Sequence, residues 1–141
     1  MLYTVGFISA INDYFVFLPQ SNQFFVERKN NDMNRSTEII ERIREVAHAS
    51  LPKGGRVLLY GSRARGDAKG DSDWDLLLIL DKSKLEQSDY DNVVYPFTAL
   101  GWDLGEMIIP VIYTMDEWRS TSFTPFYKNV EKEGKIIYES N

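Results

Sequence analysis

A glycine–serine pair, Gly61 and Ser62, is followed after ten residues by two aspartates, Asp73 and Asp75, one residue apart. They stand in LLYGSRARGDAKGDSDWDLLLIL, residues 58–80, where two apolar runs flank a glycine-rich, charged connector. Alternate residues of a strand project from one face, so Asp73 and Asp75 direct two carboxylates one way and Trp74 the other. Two carboxylates heading a buried strand are costly unless something neutralises them. A hard divalent ion such as Mg²⁺ takes oxygen ligands of this kind. Gly61 ends the preceding apolar run, at a point where a positive φ or a close backbone approach would exclude a side chain. Ser62 adds a hydroxyl and a backbone N–H, and a helical turn begun by RARG would complete an anion site of phosphate size. Arg63 and Arg65 can meet phosphate there, or form ion pairs with Asp67 or Asp71 in solvent.

The elements that must position these groups follow from periodicity. Ile39, Ile43, Val46 and Ala47 recur at helical spacing after the cap candidates Asn34, Ser36 and Thr37, and Pro52 with the glycines at 54 and 55 ends that helix. RVLLY (56–60) and DWDLLLIL (73–80) read as core strands. Val93, Phe97, Leu100 and Leu104 share a helical face, with Pro96 starting or kinking that helix. EMIIPVIYT (106–114) reads as a third strand, its Pro110 asking for an edge or bulged position. Thr124 caps a helix that opens with Pro125 and stops at Gly134, and KIIYE closes the chain as a strand. The order predicts an α+β domain, a small mixed sheet with helices packed on it.

The GS pair, the ten-residue spacing and the D-x-D pair between apolar strands together resemble the signature of the DNA polymerase β type nucleotidyltransferase superfamily. The likeness is greatest to its minimal nucleotidyltransferases and to the catalytic domain of kanamycin nucleotidyltransferase. It rests on Gly61, Ser62, Arg63, Arg65, Gly66, Ser72, Asp73 and Asp75, extends to the tail FYKNVEKEGKIIYE, and covers roughly residues 33–141. The resemblance implies the nucleotidyltransferase fold and transfer of a nucleoside monophosphate from an NTP, ATP above all, to an acceptor hydroxyl, with pyrophosphate leaving. It implies two Mg²⁺ ions on Asp73 and Asp75, with Gly61, Ser62, Arg63 and Arg65 at the nucleotide.

Members of the superfamily often add a third carboxylate from the strand after the long helix. Alignment puts apolar Ile109 or Pro110 at that place here, so Glu106 is the substitute expected as third metal ligand and catalytic carboxylate, with Asp103 next. Minimal members are often antitoxins that modify a HEPN-domain protein, so a HEPN-type partner or a second copy is expected to complete the cleft. The alternative is a catalytically silent module of the same fold that keeps nucleotide or partner affinity.

Composition narrows the remaining classes. The 141 residues suit one domain, and a formal net charge of −5 argues against broad binding to nucleic acid or anionic membranes. The chain has no cysteine, which excludes disulfides, thiolate metal sites and a cysteine nucleophile. No Lys or Arg precedes Arg28, and Asn12 and Asp13 interrupt the first apolar stretch, so neither an export signal nor a membrane span is expected, and a cytoplasmic location is. Residues 1–32 are expected to form an accessory extension or short hairpin, with the compact domain starting at Met33. His48 is expected to be structural or exposed, Trp102 and Trp118 to serve packing, Tyr127 to pack its helix and Lys128 to be solvated.

Overall fold

A computed structural model describes the backbone of Ile8–Ile11, Tyr14–Phe17 and residues 20–141, and side chains from residue 29 onward. The chain divides into two compact units, Met1–Glu38 and Ile39–Asn141. In the first, strands β1 (Ile8–Ile11) and β2 (Tyr14–Phe17) pair antiparallel, Ile8 opposite Phe17 and Ile11 opposite Tyr14. The expectations for residues 1–7, 12, 13, 18 and 19 lie outside the described residues. Helix α1 (Gln20–Ser50) runs through the division and starts well before the cap candidates at 34–37. The Thr37 hydroxyl donates to the Met33 carbonyl at 3.0 Å, the back-bond of a residue inside a helix rather than a cap. Ion pairs Arg35–Glu38, Arg42–Glu45 and Arg44–Glu41 line the exposed side of α1, which apolar periodicity alone did not register.

In the second unit, α1 gives way to β3 (Arg56–Tyr60), the short α2 (Ser62–Arg65) and β4 (Trp74–Leu80). Then come α3 (Gln87–Asp89), a π-helical segment at Tyr90–Val94, α4 (Tyr95–Leu104) and β5 (Ile108–Thr114). The chain closes with α5 (Met115–Ser120), α6 (Pro125–Glu133) and β6 (Lys135–Glu139). The sheet has the order β5-β4-β3-β6, with β4 and β5 parallel and the other pairs antiparallel. This is the small mixed sheet of an α+β domain.

Alternation along β4 builds the core on both sides. Trp74, Leu76, Leu78 and Leu80 pack with Ile39, Ile43 and Ala47 of α1 and with Phe97 and Leu100 of α4. Leu77 and Ile79 face the other way, against Trp118 of α5 and Val130 of α6. A strand buried on both faces reads as an unbroken apolar run, as LLLIL does. Pro110 is tolerated because β5 is an edge strand. Pro96, at the second position of α4, lacks the N–H a continuous helix would use, and the wide π turn just before it absorbs the mismatch.

Two predicted strands begin late. β4 starts at Trp74, leaving Asp73 just outside, and β5 starts at Ile108, because Gly105 (φ +66) ends α4 and the Glu106 N–H donates back to Gly101 O at 2.9 Å. That turn is close-packed, since a Cβ at Gly101 would lie 2.8 Å from Glu106 O. Helix α5 was not expected, although TMDE carries its signal: Thr114 accepts from Glu117 N–H and the Glu117 carboxylate accepts from Thr114 N–H, a reciprocal cap.

Phe97 is fully buried where α4 meets the sheet, so Phe97→Ala should lower unfolding free energy by about 3–5 kcal/mol in a urea titration. Buried Asp89 anchors α3: burial alone would raise its pKa, but the Lys82 ammonium at 2.8 Å and the Glu86 N–H at 2.7 Å outweigh that and lower it. A lowered native pKa gives stability that is present above the ordinary value of 3.8 and lost as pH falls through the native one. Asp89→Asn should therefore be less stable than the parent at neutral pH, and the deficit should close as denaturation is repeated at pH values below that range.

Candidate active site

The site forms where β3 turns into α2 and β4 begins. Tyr60, the last residue of β3, pairs with Asp75, which sets the Asp75 carboxylate beside the next residue, Gly61. Gly61 has φ +71, and a methyl built on it would collide with Asp75 Oδ2. A glycine is therefore required both for the backbone angle and for the approach of the carboxylate. Its carbonyl accepts from Ala64 and Arg65 N–H, each at 3.1 Å, and the Ser62 carbonyl accepts from Gly66 and Asp67 N–H, so Gly61–Gly66 forms a wound turn beside Asp75.

Asp73 is exposed and Asp75 half-buried. The Asp75 pKa is raised, first by loss of solvent and then by the negative charge of Asp73, while the Arg65 cation opposes both. Tyr60 is raised as well, by burial, then by Asp75 and then by Tyr113. The two carboxylates thus repel each other in a half-dry place. A divalent cation relieves that repulsion and takes carboxylate oxygens, so the donor set fits Mg²⁺.

Arg65 is held at the rim: its Nε donates to Asp67 at 3.3 Å and its Nη1 to Glu133 of α6 at 3.1 Å, hydrogen bonds that raise its pKa. The pairing with Asp67 matches one of the alternatives in the sequence. Arg63 pairs with neither Asp67 nor Asp71 in the observed bonds. Its Nε and Nη2 donate to Ser72 O at 3.3 and 3.0 Å, Nη2 also donates to Gly70 O at 3.3 Å, and its guanidinium lies 4.5 Å above the Trp74 ring.

The parallel register of β4 and β5 sets Ile109 beside Asp75, on the same face, and Pro110 beside Leu76. Of the two residues aligned with the usual third acid, Ile109 is therefore the one next to the carboxylate pair. The Glu106 carboxylate accepts from Trp74 Nε1 at 3.3 Å, and Trp74 points to the opposite face of β4 from Asp75. Asp103 is exposed near the end of α4. Among the described residues, no group of three His, Cys, Asp or Glu side chains is placed to share an ion. Asp73 and Asp75 are thus brought together, and Glu106 is not joined to them.

Two neighbours of the site had no clear signal. Tyr60 flanks Asp75 across the strands, and its ring meets Phe126 of α6 at 5.4 Å; the long loop between the strands fixes no register in the sequence that would have shown it. Glu133, which holds Arg65, is 68 residues away in the chain. Trp118 is buried and stacks with Tyr127 at 4.8 Å, while Lys128 is exposed. Trp102 departs from the packing expected of it: it is 69% exposed, edge-on to Tyr95 one heptad earlier, because α4 buries Phe97, Leu100 and Gly101 instead. His48 is exposed, its Nδ1 3.3 Å from the Tyr138 hydroxyl, away from the site loop.

Comparison with known proteins sets this geometry in a family. A Methanocaldococcus jannaschii protein that bears the name of a protein adenylyltransferase is 27% identical over 106 residues, 75% of this chain and all of the relative. A crystal structure of a toxin–antitoxin with AMP-PNP matches with a TM-score of 0.53 at 20% identity, over 72% of this chain and 74% of that one. The complex of a tri-AMPylated Shewanella oneidensis HEPN toxin with its MNT antitoxin gives 0.51 at 18% identity, over 74% and 73%. At these identities the solved structures establish the fold alone. The family described as polymerase beta nucleotidyltransferase matches residues 41–141, which include every strand of the four-stranded sheet and both aspartates, and the chain belongs to that family and is a nucleotidyltransferase.

Proposed function

We propose that the protein transfers a nucleoside monophosphate, AMP above all, from an NTP to a hydroxyl on a partner protein, using Mg²⁺ held by Asp73 and Asp75. The observation that carries this reading is the Asp75 carboxylate wedged against Gly61, with Asp73 repelling it from the same side. Gly61 lets the backbone come close to a triphosphate, Ser62 offers hydroxyl and N–H to its β and γ phosphates, and Arg65 adds a cation at the rim. Bound Mg²⁺ supplies charge stabilisation on the attacking and leaving oxygens of an in-line displacement. The acceptor oxygen bonds to the α-phosphorus, its hydroxyl proton passes to solvent, the bond from that phosphorus to the β-bridging oxygen breaks, and pyrophosphate leaves.

A protein acceptor is supported by the name of the archaeal relative and by the HEPN toxin in the structural neighbour, which carries AMP groups beside its antitoxin. Under this reading the chain is the antitoxin of a pair, or works with a second copy, and acts in the cytoplasm where nucleotides are plentiful. Among the described residues no helix is long and apolar enough to cross a membrane. Residues 1–32 are read as an accessory extension to a nucleotidyltransferase domain at 33–141. A second reading, a module that holds nucleotide and transfers poorly, is favoured by one observation: Ile109 stands beside Asp75 where a third acid would help. Incubation with α-labelled ATP, Mg²⁺ and the product of a neighbouring HEPN-type gene separates the two, since label on the partner supports transfer and nucleotide binding without label supports the module.

Asp73→Asn and Asp75→Asn should each reduce Mg²⁺-dependent transfer by more than about a hundredfold, because even partners one shell out from a metal are worth about ten- to a hundredfold. Either variant labelling its acceptor at the parent rate would refute the metal assignment. The same position yields a stability test. A raised native pKa means that the stability tied to protonated Asp75 is complete below the ordinary value of 3.8 and is lost as pH rises through the native one. In EDTA at neutral pH, Asp75→Asn should therefore unfold at higher urea than the parent, with the gain shrinking as pH is lowered.

A further inference from the structure

The loop from Gly66 to Asp73 has to deliver one carboxylate to a fixed place, yet it is mostly exposed and carries two glycines. Holding each residue in one backbone conformation costs entropy, so such a loop keeps one shape only where something outside it fastens it. The fastening is visible. Arg63 reaches from α2 to the carbonyls of Gly70 and Ser72, with Nε and Nη2 both on Ser72 O. The Ser72 hydroxyl accepts from Lys69 N–H at 2.8 Å, which closes the turn from within. On the far side of Asp73, Trp74 N–H donates to Met107 O at 2.8 Å, the buried Trp74 ring supports the Arg63 guanidinium at 4.5 Å, and its Nε1 donates to Glu106. Asp73 is the one residue between these two fixed points.

We infer that Arg63 is a positioning residue for Asp73, acting through the Ser72 carbonyl with the Trp74 ring as its platform and Glu106 as the anchor of that ring. The inference rests on the reading of Asp73 as a metal ligand. Arg63 would otherwise be taken for a phosphate ligand, but the Nε–Nη2 edge, a fork suited to two phosphate oxygens, is spent on carbonyls, and an aromatic ring covers one of its faces. Charge-assisted bonds to carbonyls and a cation over a buried indole are the interactions that hold such a side chain in place without a ligand. The second cation of the motif, Arg65, lacks this arrangement and pairs with carboxylates instead. The two arginines thus divide the work: Arg63 holds the frame and Arg65 stands at the rim.

The test uses the whole chain and Mn²⁺ alone, followed by electron paramagnetic resonance without nucleotide. Arg63→Met should weaken Mn²⁺ binding about five- to twentyfold, and Arg63→Lys, which keeps a cation over Trp74 and one donor, should recover part of that loss. Hydrogen exchange should quicken at residues 66–73 in Arg63→Met while the amides of β3 and β4 keep their protection, which separates a loosened loop from a damaged fold. With metal saturating, the KM for ATP should stay within about twofold of the parent. Mn²⁺ affinity at the parent level in Arg63→Met, or a KM raised tenfold at every metal concentration, would overturn the inference and return Arg63 to the phosphates. Asp73→Asn is the control: loss of Mn²⁺ binding there keeps the metal reading standing whatever Arg63 does, and retained binding brings down that reading and the inference with it.

Discussion

Asp73 and Asp75 set two like charges at the entrance of a buried strand, a constraint about which the elements around that entrance are arranged. β4 is apolar on both faces from Leu76 to Leu80 and lies inside the sheet, so its position is set by the core on either side. Its first turns carry Asp73 and Asp75 out of that core to the sheet's end, where burial and mutual repulsion raise the Asp75 pKa. Among the described residues no lysine or arginine is hydrogen-bonded to Asp75, although the Arg65 cation opposes part of this rise. The fold fixes the carboxylate against Gly61, where a side chain would collide with it. On the proposed reading, the cost of that repulsion is recovered when a cation binds, as in a preorganised site.

That constraint explains the unequal treatment of the elements around it. On one side of the sheet, α1 and α4 cover the even positions of β4 and supply bulk. On the other, α6 contributes packing through Val130 and Phe126 and also a carboxylate, Glu133, that holds Arg65. The short α2 joins the two functions, since its backbone winds on the Gly61 carbonyl while its arginines reach to the loop and to α6. Groups that resemble catalytic machinery by type are thus spent partly on architecture. Arg63 of the site loop bonds to loop carbonyls, and Glu106, expected as a third acid, bonds to an indole N–H.

The strands and the carboxylate pair were legible because both obey local rules. RVLLY and KIIYE begin and end where the sequence places them, and the i, i+2 spacing of Asp73 and Asp75 puts them on one face whatever the fold around them. Thr124 caps α6 as its side chain predicts, accepting from Tyr127 N–H at 3.1 Å. What stayed hidden was either set at long range or written in polar residues. The partner of Glu106 depends on how β5 meets β4, and the partner of Arg65 on where α6 ends, and no local spacing encodes either. The stretch of α1 before Ile39 carries the polar run ERKNNDMN, so apolar periodicity had nothing to detect there. The resemblance to a known family, in turn, fixed the type of reaction but could not say which of two adjacent residues would stand beside the carboxylates.

That last point bears on how the site can work. The parallel register leaves no freedom: with Asp75 opposite Ile109, moving Pro110 or Glu106 onto the same place would shift β5 by one or three residues and disturb the burial of Ile108. The flank of the site is therefore apolar, Ile109 with exposed Met107 two residues before it, and among the described residues the proposed cation site has two carboxylates rather than three. One negative charge fewer weakens the attraction for a second ion more than for the first, because the first has already neutralised most of what is there. On the proposed reading, the nucleotide's own phosphates then supply further oxygen ligands, since among the described residues no third acid is grouped with Asp73 and Asp75. A site of this kind depends on how well its two acids are held, which is why the frame that fixes Asp73 matters more here than it would in a site with a third acid to share the load.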